Sequence, residues 1–319
     1  MTRRRFESDS TPSWYKVGTH KLFYDAFVND YDEFAYLQEI QREWNLTGPL
    51  PHVRRAFVSV EGLRQVSALV WDNSPAELVF IHGSAQNAHT FDTVALALRR
   101  PMVAVDLPHH GHSDASFFGP RAIKEHAEDL ATTIENLCVS PLVIVAMSYG
   151  GLVSLALLHQ RPELATRLIL IDITPGVNDH KARHIHDFIE GPEYFSSFEE
   201  IFERTRRFNP GRSERSLRRG ILHNALERPD GRWVWRHQRH AMATLVPDFH
   251  YDLWRYLEEL PMPVTLIRAM GPSSVVDDAD AQEFLRRRPH DEINEVPGAS
   301  HSIQGSHPLE LAALIAEHL

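Results

Sequence analysis

The chain has 319 residues, 43 % of them apolar or aromatic and 24 % charged, a composition that fits one large globular domain or two modest ones and excludes disordered and collagen-like chains. With 33 basic and 43 acidic residues the net charge is −10, which argues against a sequence-independent hold on nucleic acid or an anionic membrane, since either needs surplus Lys and Arg. The apolar runs are strand-sized, Met1-Thr2-Arg3-Arg4-Arg5 leads into polar residues, and Cys138 stands alone, so we expect no transmembrane helix, secretory signal, internal disulfide or thiolate zinc cage. A cytoplasmic protein with a small-molecule partner is the expectation, and the oligomeric state is not readable.

Residues 1–52 read as an N-terminal extension with one amphipathic helix, Tyr31 to Asn45, whose Phe34, Leu37, Ile40 and Trp44 recur at helical spacing. Next come Ala56 to Val60 and Ser67 to Trp71, a predicted hairpin around Glu61-Gly62. Glu77 to Ile81, Met102 to Asp106, Leu142 to Met147, Leu168 to Ile173 and Val264 to Ala269 are apolar throughout, as strands covered on both faces must be. Helical stretches alternate with them: Phe91 to Leu98, Ile123 to Leu137, Gly151 to Gln160 and, at the end, Leu309 to Leu319. That alternation predicts a mostly parallel α/β sheet formed by residues 53–174 and 262–319.

Between them, residues 175–261 lack buried-strand signals and carry helix-like segments at Phe198 to Arg207, Ser213 to Leu226 and Trp233 to Thr244. A helical lid over the carboxyl ends of the strands is expected there. Trp233-Val234-Trp235-Arg236-His237 reads as lid packing rather than as a pocket wall.

Three stretches carry chemistry. In Leu142 to Gly151 an apolar strand runs into Ser148, with small residues, Ala146 and Gly150, on either side. Such a Ser sits on a sharp strand-to-helix turn that lifts its hydroxyl above the sheet at a helix N-terminus, where a developing anion is favoured. The bland alternative, a helix-capping Ser, does not require the surrounding strand and glycines. In Leu78 to Ala85, His82-Gly83 follows a buried strand. Acyl transfer needs two backbone N–H groups at the carbonyl oxygen, and Ser84 and Tyr149 would supply them, with His82 a structural hydrogen-bonder. In Val296 to Gln304, His301 lies in a loop before the last helix, where its imidazole can act as general base.

The cluster His109, His110 and His112 lies in too tight a loop for all three rings to meet one ion, and no metal is expected. Without a dinucleotide fingerprint or phosphate-binding loop, no cofactor is expected either.

Together, His82-Gly83, the run Asp106 to Ser113, the Ser148 turn and Gly298-Ala299-Ser300-His301 resemble the α/β-hydrolase superfamily over roughly Val53 to Leu319. The resemblance implies that fold, a lid after the sixth strand, and a triad in the chain order Ser to His. His109 departs from the family by standing where Gly is usual. The acid departs more seriously. Similar hydrolases carry it in a Gly-x-x-Asp loop after the seventh strand, but here the loop reads Gly271-Pro272-Ser273-Ser274. Asp172, at the end of the sixth strand, is the first choice, with Asp277 or Asp278 as alternatives.

The function implied is a serine hydrolase cleaving an ester, thioester or lactone of a small, largely apolar molecule. Two other outcomes stay open: hydrolysis of a carbon–carbon bond beside a ketone on the same triad, and ligand binding without turnover.

Overall fold

A computed structural model describes residues 31–115, 123–237 and 250–319. Its centre is an eight-stranded sheet in the order β1-β2-β4-β3-β5-β6-β9-β10. The strands are β1 (Val53–Val60), β2 (Arg64–Trp71), β3 (Leu78–Ile81), β4 (Met102–Val105), β5 (Leu142–Met147), β6 (Ala165–Ile171), β9 (Val264–Ala269) and β10 (Glu292–Val296). β2 is antiparallel to β1 and to β4, and every other pair is parallel.

Every residue of β3, β4, β5 and β9 is buried, which the unbroken apolar runs require. The period of two sorts their side chains between two layers. Val79, Ile81, Ile144, Ala146, Leu168 and Leu170 meet helices α3 (Ile123–Leu137) and α4 (Tyr149–Gln160). Leu78, Phe80, Val143, Val145, Ile169 and Ile171 face the opposite layer, with α1 (Leu37–Glu43), α2 (Asp92–Leu98) and α10 (Pro308–Ala316).

α1 is shorter than the expected Tyr31 to Asn45, because the residues just before it form turns. Its Leu37 and Ile40 are nevertheless buried against the sheet layer. β10, absent from the apolar-run reading, has the sequence EINEV with only Val296 buried. An edge strand needs no continuous apolar run.

The segment between β6 and β9 contains α5 (Arg183–Ile189), α6 (Phe198–Phe208), α7 (Glu214–Asn224), β7 (Ala225–Glu227), β8 (Trp233–Trp235) and α8 (His250–Glu259). Ser197 and Ser213 cap α6 and α7, each accepting a backbone N–H three residues on at 3.2 Å. Phe195, Ile201, Phe202, Leu217, Ile221 and Trp233 give this segment a small core of its own.

Two expectations need correction. Trp233 to Thr244 does not begin as a helix: β7 and β8 form an antiparallel ribbon apart from the main sheet, consistent with the two-residue period of Trp-Val-Trp, and residues 238–249 lie outside those described. α8 also differs, since its Leu253, Tyr256 and Leu257 join the main core beside α4 rather than the small core. Among the described residues no helix is long and apolar enough to cross a membrane.

Candidate active site

β5 ends at Met147 and α4 begins at Tyr149, so a single residue, Ser148, makes the turn. It does so at φ 50°, ψ −124°, a conformation that costs a non-glycine residue on the order of 1–3 kcal/mol. The turn is held by the Ser148 N–H donating to the Ile171 carbonyl at 3.2 Å. It also needs Gly150, where a Cβ would lie 2.5 Å from the His82 carbonyl oxygen.

The loop after β10 brings His301 to this turn. Its Nε2 lies 3.0 Å from Ser148 Oγ, and its Nδ1 lies 2.8 Å from Asp172 Oδ2. A carboxylate only accepts, so Nδ1 carries the hydrogen and Nε2 presents its lone pair to the serine hydroxyl. The His301 N–H donates to Ser273 Oγ at 3.1 Å, which fixes the loop.

Asp172 follows β6 with φ 45°, a left-handed conformation that Asp tolerates better than most residues. Its side chain is fully buried and accepts from the Ala269 N–H at 3.0 Å, the Val275 N–H at 3.1 Å and the Ser274 hydroxyl at 2.7 Å.

The alternative acids are elsewhere. Asp277 caps α9 (Asp278–Arg287), accepting from the Asp280 N–H at 2.9 Å, and pairs with Lys181. The Asp278 side chain is 84 % exposed and pairs with Arg268 at 2.7 Å. Sequence reasoning set Ser274 aside because it cannot hold an imidazolium. It missed that a hydroxyl at the family's usual acid position can hydrogen-bond the displaced carboxylate, and the Gly271-x-x-Ser274 spacing was the available signal.

The loop carrying Ser84 follows β3 and lies across from Ser148. Tyr149 opens α4, so its N–H has no carbonyl four residues back. Ser84 and Ser148 both line the same cavity. His82 is structural: Nδ1 donates to the Gly83 carbonyl at 2.7 Å and Nε2 accepts from the Leu107 N–H at 3.0 Å, while burial holds its pKa below the ordinary range. Gln86 spans to the histidine loop, donating to Ser302 Oγ at 3.1 Å and accepting from Gln304 at 3.2 Å.

The His-rich loop is organised around a buried carboxylate. Asp106 accepts from Arg55, from the Ala88 N–H at 2.7 Å and from the His112 N–H at 3.0 Å. Burial alone would raise its pKa, but the Arg55 guanidinium outweighs that and keeps it far below the carboxylate range. A Cβ at Gly111 would lie 2.3 Å from the Asp106 carboxyl carbon. His109 has φ 67°, which explains why glycine suits this position. His110 accepts from the Ala85 N–H at 3.1 Å, tying the His-rich loop to the Ser84 loop.

The cavity above Ser148 and His301 has a volume of about 630 Å³. The α5–β8 segment walls it with Ile185, Phe188, Phe208, Leu217, Ile221 and Trp235, and Ile40 of α1 and Trp44 just after it add to the wall. Of the two expected packing tryptophans, Trp233 is buried in the small core, and Trp235 packs against that core while also lining the cavity.

Beside the cavity, His89, Asp92 and His223 bring ligating atoms within 4.8 Å of one another. The two rings are stacked, with centroids 3.9 Å apart and planes 11° apart, so their in-plane lone pairs run parallel instead of converging on an ion. The cluster is instead a hydrogen-bonded charge network, in which His89 binds Asp92 at 2.9 Å and Glu33 at 3.0 Å.

Comparison with known proteins places this geometry in a family. Residues 78–314 match the alpha/beta hydrolase family. Esterase Rv0045c of Mycobacterium tuberculosis is 36 % identical over 298 residues, covering 91 % of this chain and 97 % of that protein. A refined structure of that esterase superposes with a TM-score of 0.81 at 34 % identity, over 91 % of this chain and 99 % of the other. The sn-1-specific diacylglycerol lipase ABHD11 of Mus musculus is 28 % identical over 256 residues, covering 76 % and 80 % of the two chains. The chain belongs to the alpha/beta hydrolase family and is an esterase-like hydrolase.

Proposed function

We propose that this hydrolase is a serine esterase in which Ser148 attacks the carbonyl carbon of a small, largely apolar ester, thioester or lactone. The observation that supports the reading most is the unbroken line of hydrogen bonds from Ser148 Oγ through His301 to Asp172. His301 Nε2 takes the serine proton as the C–O bond forms and returns it to the leaving alcohol. Asp172 holds the ring in the required tautomer and stabilises the imidazolium. The Ser84 and Tyr149 amides stabilise the oxyanion. A water then repeats the sequence on the acyl-enzyme, with His301 as its base.

The α5–β8 segment acts as the lid, and its apolar side chains favour an apolar acyl or alcohol group. This chemistry needs no metal and no nucleotide. A small-molecule substrate is the partner we infer, and a lone half-buried Cys138 fits a reducing cytoplasm.

The test is labelling by a fluorophosphonate probe, followed by a panel of aryl and alkyl esters, thioesters, lactones and β-diketones. Ser148→Ala is expected to abolish labelling and to lower turnover by about 10⁴ or more, and His301→Ala to act similarly. Labelling that persists in Ser148→Ala rejects the assignment. Hydrolysis confined to diketones would favour carbon–carbon cleavage on the same residues.

A further inference from the structure

The cavity wall carries three arginines although the chain as a whole carries −10. Arg207, Arg212 and Arg219 line it, and the carboxylate among the lining residues is Asp92, which is already bound to His89.

The three guanidiniums are not equivalent. Arg219 is neutralised by Glu39 at 2.7 Å and by Glu43. Arg207 is exposed on the last turn of α6, where water screens it. Arg212 is half-buried in the loop before α7 and lines the cavity, and among the described residues it has no carboxylate partner. Its Nη2 donates to Ser216 Oγ at 2.8 Å, and its Nε is buried without any partner. The Glu43 charge acts on it, but that carboxylate is held by Arg219 and by the Ser213 hydroxyl at 2.9 Å. Burial and the neighbouring Arg219 push the Arg212 guanidinium down to about 10, so it remains a cation at neutral pH.

A half-buried cation with an enclosed, unpartnered Nε and no counter-charge is costly, and a planar guanidinium is best matched by a carboxylate or phosphate. Gly305, on the turn four residues past His301, faces it. A Cβ there would lie 3.1 Å from Arg212 Nε, so the glycine leaves the guanidinium room beside the histidine loop.

We propose that the substrate of this esterase carries a carboxylate or similar anionic group remote from the scissile bond, and that Arg212 is the residue that binds it. The proposal rests on the esterase reading above and narrows it: the apolar walls take the methylene chain, Ser148 and His301 take the ester, and Arg212 takes the anion from the part of the wall beside Gly305.

The test compares kcat/KM for mono-aryl esters of adipate, pimelate and suberate with the same aryl esters whose far carboxyl is methylated. The carboxylate is also tried on the alcohol side, as hexanoyl 6-hydroxyhexanoate against its methyl ester. The wild type is expected to favour the anionic member by roughly 10- to 100-fold for at least one length, the range of a charge-assisted hydrogen bond. Arg212→Gln should collapse that ratio, and Arg212→Lys should restore part of it. If Arg212 only braced its loop through Ser216, substitution would slow both members alike and leave the ratio unchanged.

A wild-type ratio at or below one in both series overturns the inference without needing any variant to fold. If neutral esters are cleaved in that case, the esterase reading stands and only the anion site falls. If no ester is cleaved and the phosphonate leaves Ser148 unlabelled, both fall together.

Discussion

Ser274 Oγ donates a 2.7 Å hydrogen bond to Asp172 Oδ1, while the other oxygen of the same carboxylate meets His301 Nδ1 at 2.8 Å. The residue in the loop position where the resemblance would put an acid thus donates to a carboxylate supplied by the neighbouring strand. With the Ala269 and Val275 amides, it gives Asp172 three donors besides the histidine. A carboxyl group buried this completely needs such donors for its lone pairs, and together they hold it in place against the His301 ring.

The first prediction separates the three acids considered from the sequence. Asp172→Asn keeps the shape but presents an amide to His301, so the ring loses its fixed tautomer, and kcat should fall by about 10⁴ with the fold intact. Asp277→Asn and Asp278→Asn keep side-chain shape and remove exposed charges paired with Lys181 and Arg268, which calls for a small change in stability and little change in kcat. Steady-state kinetics on one ester with all three variants decides it, and a near-wild-type Asp172→Asn would remove that residue from the mechanism.

A second prediction concerns the bond between the α5–β8 segment and the N-terminal helix. Arg219 on α7 is buried and reaches Glu39 and Glu43 on α1. Glu39 is partly exposed, so its share is screened, but Glu43 is mostly covered. Arg219→Met should lower stability by about 1–3 kcal/mol, because it leaves a largely covered carboxylate without its cation. Thermal unfolding reads this directly. The paired variant Glu43→Gln in the same background should cost less than the sum of the two single changes, as groups in direct contact do.

Much of this architecture is visible in the sequence because burial on both faces of a parallel sheet leaves an unmistakable mark. LVFI, MVAV and LVIVAM have no place but the middle of a layered fold. The Ser148 turn is equally legible, since its steric demands fall on residues beside it in the chain, Ala146 and Gly150. EINEV was hidden because an edge strand is only half covered. The short ribbon of β7 and β8 was hidden because the alternation of Trp-Val-Trp spans only three positions, too few to stand out from a helical stretch. The choice of acid stayed open for a deeper reason. Asp172 and His301 are 129 positions apart, and only the closure of β6 against β9 brings the Ser274 loop and both residues to one point.

A third prediction uses the network beside the cavity. His89 is fully enclosed. Burial would lower its pKa, but the Asp92 and Glu33 carboxylates outweigh that and raise it to about 9. Its folded value thus lies above the unfolded value of about 6.5. The stabilisation is therefore fully present below pH ~6.5 and is lost as pH climbs through about 9. Unfolding free energy measured by denaturant at several pH values from 6 to 10 should decline along this limb in the wild type. In His89→Gln, which cannot bind the proton, the decline should flatten. An identical slope in both proteins would mean that His89 is neutral in the folded state.

The last prediction returns to Ser274. If the position after β9 is the family's usual acid site, and Asp172 reaches the histidine from the adjacent strand, then a carboxylate at 274 should take over once Asp172 is neutralised. The Ser274 hydroxyl already lies within 2.7 Å of the carboxylate that binds His301, and Asp places its oxygens one bond further out than Ser. In Asp172→Asn/Ser274→Asp we therefore expect kcat to recover by about 10- to 10²-fold over Asp172→Asn, short of the wild type because the Ala269 and Val275 amides remain aimed at position 172. Ser274→Asp alone should behave differently. Two carboxylates in hydrogen-bond contact cannot both ionise cheaply, so one takes up a proton and stability should fall as pH rises above the ordinary carboxylate range. Ser274→Ala removes one donor and leaves the acid in place, so a several-fold loss in kcat is expected. Kinetics of the four proteins on one ester give the answer: a double variant no faster than Asp172→Asn would show that a carboxylate at 274 cannot reach Nδ1, and that the acid function is tied to the end of β6.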